Sequence, residues 1–114
     1  MKNPCKTLRN RIYFFFSILL MNNCSTVPKK PAQRAFIVEI KQMKFQPEEI
    51  TIQVGDTVIW INRDLVAHDV TEKAGKTWTS SLLSPGKSWS LVVNRSANYY
   101  CSIHRVMNGR LLLK

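Results

Sequence analysis

The segment ITIQVGDTVIWIN, residues 50–62, decides the fold of this chain. In its first half every second residue is Ile or Val, which is the two-residue period of a half-buried strand. Gly55-Asp56 then supplies residues that favour a turn. Residues 57–62 form a nearly continuous apolar run rich in β-branched and aromatic side chains. The segment therefore predicts two β-strands joined by a turn.

The same pattern extends from this segment in both directions. Upstream, residues 36–41 alternate with a period of two; downstream, a Pro85-Gly86 turn precedes another alternating run over residues 88–93. No window of ten residues after position 35 has the apolar stripe of a helix. Short strands separated by turns favour an all-β sandwich or barrel. We expect one small domain, residues 35–114.

The first 23 residues have the composition of an export sequence. They contain four basic residues and no acidic one: Lys2, Lys6, Arg9 and Arg11. The apolar run that follows, residues 12–21, is shorter than the about 20 residues that a membrane-spanning helix needs. A basic region before a short apolar run predicts a secretory signal peptide over residues 1–23.

Cys24 directly follows this segment. A Cys at this place is typical of bacterial lipoprotein signals, in which it is lipidated after cleavage, but two asparagines stand where such signals favour small residues. Lipidation of Cys24 and an ordinary signal peptide with an incidental Cys both stay open. Residues 24–34 contain two prolines and three basic residues, so we expect a flexible tether. We expect the exported protein in the periplasm or anchored to the membrane of the cell envelope.

Export also changes the meaning of the net charge. The 114 residues contain 17 basic and 7 acidic residues, a formal charge of +10. Removal of residues 1–23 leaves 13 basic and 7 acidic residues, or +6. A basic exported protein is expected to meet acidic proteins, not nucleic acid. The three Cys and two His exclude a scaffold of several disulfides and a four-ligand zinc finger.

Four residues offer metal-binding chemistry in the strand region. Cys101, His104 and Met107 recur at intervals of three, and His68 lies thirty-three residues before Cys101. Two imidazoles, one thiolate and a weak axial thioether are the ligand set of a blue-copper electron-transfer site. The competing interpretation is a buried Cys that serves as a small hydrophobic residue, with Met as core filler. A lone Cys outside the cytoplasm tends to be oxidised, which favours the metal site.

Several motifs together resemble the cupredoxins, and within them the plastocyanin and amicyanin branch. The resemblance covers residues 36–113 and rests on five segments: MKFQP at 43–47, ITIQVGDTVIWIN at 50–62, HDVT at 68–71, SPGKS at 84–88 and YCSIHRVMNG at 100–109. The two-residue gap between His104 and Met107 is the short ligand loop of amicyanin-like members.

The resemblance implies a Greek-key sandwich with one type 1 copper. His68, Cys101 and His104 would be the planar ligands and Met107 the axial one, and His104 would be the partly exposed electron port. The resemblance also places Asp69 and Ser102 beside the ligands. Asp69 stands where many relatives have Asn. An ionised carboxylate there would repel the negative sulfur, so we expect a shifted reduction potential or a protonated Asp69.

The function implied is a one-electron carrier without enzymatic turnover, expected to be a monomer. A mixture of apolar and basic residues near the electron port would suit brief docking to redox proteins that are acidic at the contact surface. The residues expected there are Arg63, Leu65, Val66, Arg105 and Val106. The alternative is an envelope copper-binding or copper-delivery lipoprotein that uses the same ligands without electron transfer. A multicopper enzyme would need further histidines, and the chain has only two.

Overall fold

The computed structural model describes residues 24–114, so the predicted signal peptide lies outside the described residues. Residues 24–34 contain no helix or strand and are exposed. Residues 31–114 form one compact unit. No helix that could span a bilayer is found within residues 24–114.

Within residues 24–114, eight strands form two four-stranded sheets. In chain order they are β1 (Ala35–Lys41), β2 (Lys44–Gln46), β3 (Glu49–Ile52), β4 (Thr57–Asn62), β5 (Thr71–Glu72), β6 (Ser88–Val92), β7 (Ala97–Tyr100) and β8 (Asn108–Leu113). The strand orders are β2-β1-β4-β6 and β3-β8-β7-β5. The pairs β1–β4 and β3–β8 are parallel, and the remaining pairs are antiparallel. The predicted all-β sandwich is confirmed.

The core lies between the sheets and contains side chains from both predicted strand patterns, the alternating one of β1 and the continuous apolar one of β4. Val38 and Ile40 of β1 are fully buried, and so are Val58 and Trp60 of β4. Trp60 is central, because its ring centroid lies 5.3 Å from that of Tyr99 on the opposite sheet. Two further Trp rings, Trp78 and Trp89, have centroids 6.2 and 5.5 Å from it. This aromatic cluster joins the two sheets.

The apolar run 57–62 forms β4, which buries every second side chain and leaves the outward Ile59 and Ile61 half-buried. One detail of the predicted strands differs from the structure. Val54 is 65% exposed, because β3 ends at Ile52 and the chain has already entered the turn before β4.

Close packing between β7 and β8 sets the position of the loop that joins them. Gly109 pairs with Tyr99 across these strands. A Cβ atom at position 109 would lie 2.2 Å from Cζ of Tyr99, so only glycine leaves room for the ring. Burial raises the pKa of Tyr99 to about 12. The loop of residues 101–107 therefore begins and ends on two tightly joined strands.

Asp56 is a buried carboxylate at the turn before β4. It accepts hydrogen bonds from the backbone N–H groups of Gln53 at 2.9 Å and Arg34 at 3.0 Å, and its other contact is the Arg34 guanidinium at 3.3 Å. The Gln53 N–H lowers the pKa of Asp56, burial opposes this, and Arg34 lowers it further, so the pKa lies below its ordinary value of 3.8. The ionised form holds residue 34 against the start of β4.

We predict that Asp56→Asn lowers the free energy of unfolding at pH 7 and flattens its dependence on acid. A depressed carboxyl pKa stabilises the fold above the ordinary value of 3.8 and loses this effect as pH falls through the lower folded value. Urea unfolding between pH 7 and pH 2 measures both. The exposed Glu49→Gln variant is the control and should follow the wild-type curve. Parallel curves for wild type and Asp56→Asn would contradict this role.

Candidate metal centre

Two loops, one from each sheet, meet at the candidate site. His68 lies in the loop after β4, where its backbone pairs with Leu83 through two hydrogen bonds of 3.1 and 2.7 Å. Cys101, His104 and Met107 all lie in the loop between β7 and β8. The structure therefore brings together residues that are thirty-three or more positions apart.

Three of the predicted ligand atoms converge on one point. Nδ1 of His68 lies 3.8 Å from Sγ of Cys101, and Nδ1 of His104 lies 3.7 Å from the same sulfur. The two Nδ1 atoms are 3.2 Å apart. His68 and Cys101 are fully buried, whereas His104 is partly exposed. The site is thus closed on one side and reaches solvent through one imidazole.

The fourth predicted ligand, Met107, ends the loop and is hydrogen-bonded to the residue that starts it, Cys101. Its backbone N–H donates to the His104 carbonyl at 3.0 Å, and its carbonyl accepts from the Cys101 N–H at 3.1 Å. The Met107 side chain is 2% exposed. These two hydrogen bonds hold the backbone of Met107 beside that of Cys101 and His104.

The donor set fits a soft or borderline metal ion. Bonds of about 2.0–2.3 Å, the lengths found for imidazole nitrogen and thiolate sulfur on zinc, would place trigonal donor atoms about 3.4–3.8 Å apart. The two nitrogen–sulfur separations of 3.7 and 3.8 Å fall within this range, and the nitrogen–nitrogen separation of 3.2 Å is slightly shorter. Nitrogen and thiolate donors in this ratio suit copper, with its preference for His₂Cys sites. Carboxylate-binding ions such as magnesium prefer all-oxygen sites.

Asp69 and Ser102 join the two loops. The Asp69 backbone N–H points at Sγ of Cys101 from 3.5 Å, and the Ser102 N–H donates to Oδ1 of Asp69 at 2.6 Å. The Ser102 hydroxyl makes a short hydrogen bond to Oδ2. The sulfur therefore faces the Asp69 amide, and the carboxylate is engaged by Ser102. Donors on both oxygens lower the cost of a negative charge here, and the effect on the potential stays a prediction.

Two residues at the site were not singled out from the sequence. Asp64 contacts Nε2 of His68 through Oδ2 at 2.7 Å. Asn62 is fully buried, and its amide donates to the carbonyls of Val66 and Leu83 at 2.8 Å each, which fixes the loop that carries His68. A carboxylate four residues before a ligand histidine was the available indication for Asp64.

Burial raises the pKa of Asp64, but hydrogen bonds from Met43, His68 and Gln42 outweigh burial and leave its pKa below the ordinary value. The carboxylate beside His68 is therefore ionised at neutral pH.

The predicted docking residues lie on the two ligand loops. Leu65 and Val106 are 95% and 86% exposed, and Val66 is 47% exposed. Arg63 and Arg105 are exposed beside them, and Nε of Arg63 lies 3.6 Å from a Glu39 carboxylate oxygen. Half of Ile103 is also exposed on the same loop as His104, a contribution that the sequence did not suggest.

Comparisons with known proteins agree with this architecture. The model of the copper binding proteins of the plastocyanin/azurin family matches residues 32–114. Amicyanin from Paracoccus denitrificans is 33% identical over 89 residues, which cover 73% of this chain and 68% of that protein. Amicyanin-alpha from Methylorubrum extorquens is 30% identical over 83 residues, covering 68% of this chain and 70% of that protein.

Solved structures extend the agreement to the fold. A Cu(I) form of an amicyanin mutant superposes with a TM-score of 0.66 at 30% identity, covering 73% of this chain and 85% of that chain. An oxidised form of another amicyanin mutant gives a TM-score of 0.66 at 30% identity, with 70% and 82% covered. The chain belongs to the plastocyanin/azurin family of copper binding proteins, a family of small cupredoxin domains.

We predict that Asp69→Ala weakens copper binding by about 10- to 100-fold, the usual effect of removing a residue that orients metal ligands. The substitution frees the Ser102 donors and loosens the contact between the two loops. Competition with a copper chelator measures the affinity. Glu49→Ala, which removes an exposed carboxylate from β3, is the control and should bind like wild type. Equal affinities for both variants would show that the Asp69–Ser102 link does not organise the site.

Proposed function

We propose that this protein is a one-electron carrier of the cell envelope and that His68, Cys101, His104 and Met107 hold its single copper ion. The observation that carries the proposal is the convergence of two imidazole Nδ1 atoms and one Sγ within 3.8 Å. Membership in a copper-binding family supports the metal, and similarity to amicyanins supports electron transfer. The bound metal supplies a Cu(II)/Cu(I) couple.

The residues around the site favour rapid electron transfer by this couple. Fully buried His68 and Cys101 keep water away from two of the donors. Ligands held in place by the surrounding fold change position little between oxidation states, which keeps the reorganisation on electron transfer small. The Asp69 amide stabilises the negative thiolate from 3.5 Å. The partly exposed His104 imidazole gives electrons a short route to the surface.

The surface around His104 suits brief contacts with acidic redox proteins. Leu65 and Val106 supply apolar area that loses water on contact, and Arg63 and Arg105 supply positive charge around it. Charge at the rim of such a surface raises the association rate more than the affinity. We propose that the protein docks there as a monomer.

We also propose the division of the chain that its sequence predicts. Residues 1–23 are a signal peptide, residues 24–34 a tether, and residues 35–114 the copper domain. The Cys24 thiol at the start of the tether is exposed, which is compatible with its lipidation and with attachment to a membrane. In either case the protein acts outside the cytoplasm and without catalytic turnover.

We predict that the Cu(II)-loaded protein is blue and that Cys101→Ser is colourless. Covalent charge transfer from a thiolate to copper gives intense absorption at about 600 nm in His₂Cys sites, and serine oxygen cannot supply it. Absorption and EPR spectra of both proteins test this. Cys24→Ser, which changes the exposed Cys of residues 24–114, should stay blue. A colourless wild type that holds Cu(I) tightly would favour the copper-delivery alternative instead, and a blue Cys101→Ser would refute the ligand assignment.

We predict that salt slows oxidation of the Cu(I) protein by hexacyanoferrate(III), an anionic probe. The Debye length falls from about 10 Å at 0.1 M to about 3 Å at 1 M, so salt screens attraction to the exposed arginines. Stopped-flow rates at several ionic strengths measure the effect. Arg63→Gln/Arg105→Gln should reduce the salt dependence, whereas Arg110→Gln, on β8, should not. Equal salt dependence of the oxidation rate in the two variants would contradict the proposed docking surface.

A further inference from the structure

One carboxylate links the buried ligand histidine to a distant turn. Oδ2 of Asp64 contacts Nε2 of His68 at 2.7 Å and accepts the Met43 backbone N–H at 3.1 Å. Oδ1 accepts the Gln42 backbone N–H at 2.7 Å. Gln42 and Met43 lie between β1 and β2, more than twenty residues before Asp64. The side chain of Asp64 is only 14% exposed.

The turn that Asp64 binds has an unusual backbone. Gln42 and Met43 have φ angles of 53° and 57°, in the left-handed region that residues with a Cβ rarely adopt. Such a conformation persists only where surrounding contacts hold it. Both N–H groups of this turn point at the same carboxylate, so the Asp64 contacts account for the turn. The position of the carboxylate, and with it the position of His68, is therefore fixed from outside the ligand loop.

The hydrogen-bond partners of Asp64 indicate which nitrogen of His68 carries the proton. Both Asp64 oxygens already accept backbone N–H groups, so the carboxylate is the acceptor in the His68 contact and Nε2 of His68 is the donor. Nδ1 is then left without a proton, and it is the nitrogen that lies 3.8 Å from Sγ of Cys101 and 3.2 Å from Nδ1 of His104. A carboxylate behind a ligand histidine also makes the ligating nitrogen more basic.

We propose that Asp64 is a positioning residue of the metal centre, which holds His68 with Nδ1 directed at the metal and makes the site favour Cu(II) over Cu(I). This inference rests on the proposed function, because it assumes that His68 binds copper. Asp64 acts through His68 and through the β1–β2 turn, and it does not itself contact the metal. Its negative charge favours the more highly charged oxidation state, so it lowers the reduction potential.

The main test compares the reduction potentials of Asp64→Asn and Glu39→Gln. The first removes the negative charge and leaves one acceptor oxygen for three donors. The second removes a negative charge from nearby β1, where Glu39 contacts Arg63 and not His68. For Asp64→Asn we expect the ratio of Cu(II) to Cu(I) affinity to fall about tenfold, which is a rise of about 59 mV for one electron. Glu39→Gln should change the ratio less than threefold.

A charge-conserving variant separates positioning from folding. Asp64→Glu keeps the carboxylate on a longer side chain, so its potential should lie closer to wild type than that of Asp64→Asn. A residue that only clamps the turn would lower the melting temperature of the copper-free protein in both variants and leave both potentials unchanged. That result would overturn the inference.

A measurement on the wild type covers the case in which the variants do not fold. Long-range ¹H–¹⁵N correlation of the diamagnetic Cu(I) protein reports which His68 nitrogen carries the proton. The inference requires a slowly exchanging proton on Nε2, and a proton on Nδ1 would refute it. A wild type that lacks the blue spectrum would refute the proposed function. A blue wild type whose potential matches that of Asp64→Asn would refute only the role of Asp64.

Discussion

The hydrogen-bonded junction between two loops from different sheets is the constraint on which the site depends. His68 follows a strand of one sheet, and Cys101 follows a strand of the other. The Asp69 amide reaches the Cys101 sulfur at 3.5 Å, while the Asp69 carboxylate holds Ser102. The pairing of Thr71 with Tyr100, between β5 and β7, holds the same two segments together next to this junction. The aromatic core and the tight β7–β8 packing matter to function because they hold the two loops in register.

Different polar groups surround the sulfur of Cys101 and the imidazole of His68. The backbone N–H of Asp69 faces the Cys101 sulfur, whereas the Asp64 carboxylate lies behind the His68 imidazole. Neither carboxylate near the site, Asp64 or Asp69, is left without donors. Buried charge is tolerable only when it is paired or hydrogen-bonded. Both acids near the candidate site therefore have donors for their oxygens, and the His104 imidazole is partly exposed.

Much of the fold and one loop of the candidate site could be predicted from the sequence, because both depend on short-range patterns. Alternation identified the buried side chains of β1, and the spacing of Cys101, His104 and Met107 indicated one loop of the candidate site. The strands β2 and β5 have three and two residues, which is too short for periodicity to show. Parallel pairing of β1 with β4 depends on how the chain crosses between elements, and no local pattern encodes it.

The two site residues that the sequence analysis did not single out, Asp64 and Asn62, also depend on contacts between distant parts of the chain. Asp64 binds a turn more than twenty residues away, and Asn62 binds a carbonyl twenty-one residues away, so their roles exist only in the folded chain.

The most direct test of the central claim is a crystal structure of the copper-loaded protein, recorded with anomalous scattering above the copper absorption edge. The account predicts one anomalous peak bonded to Nδ1 of His68, Nδ1 of His104 and Sγ of Cys101. A peak elsewhere, or none between these three atoms, would contradict it.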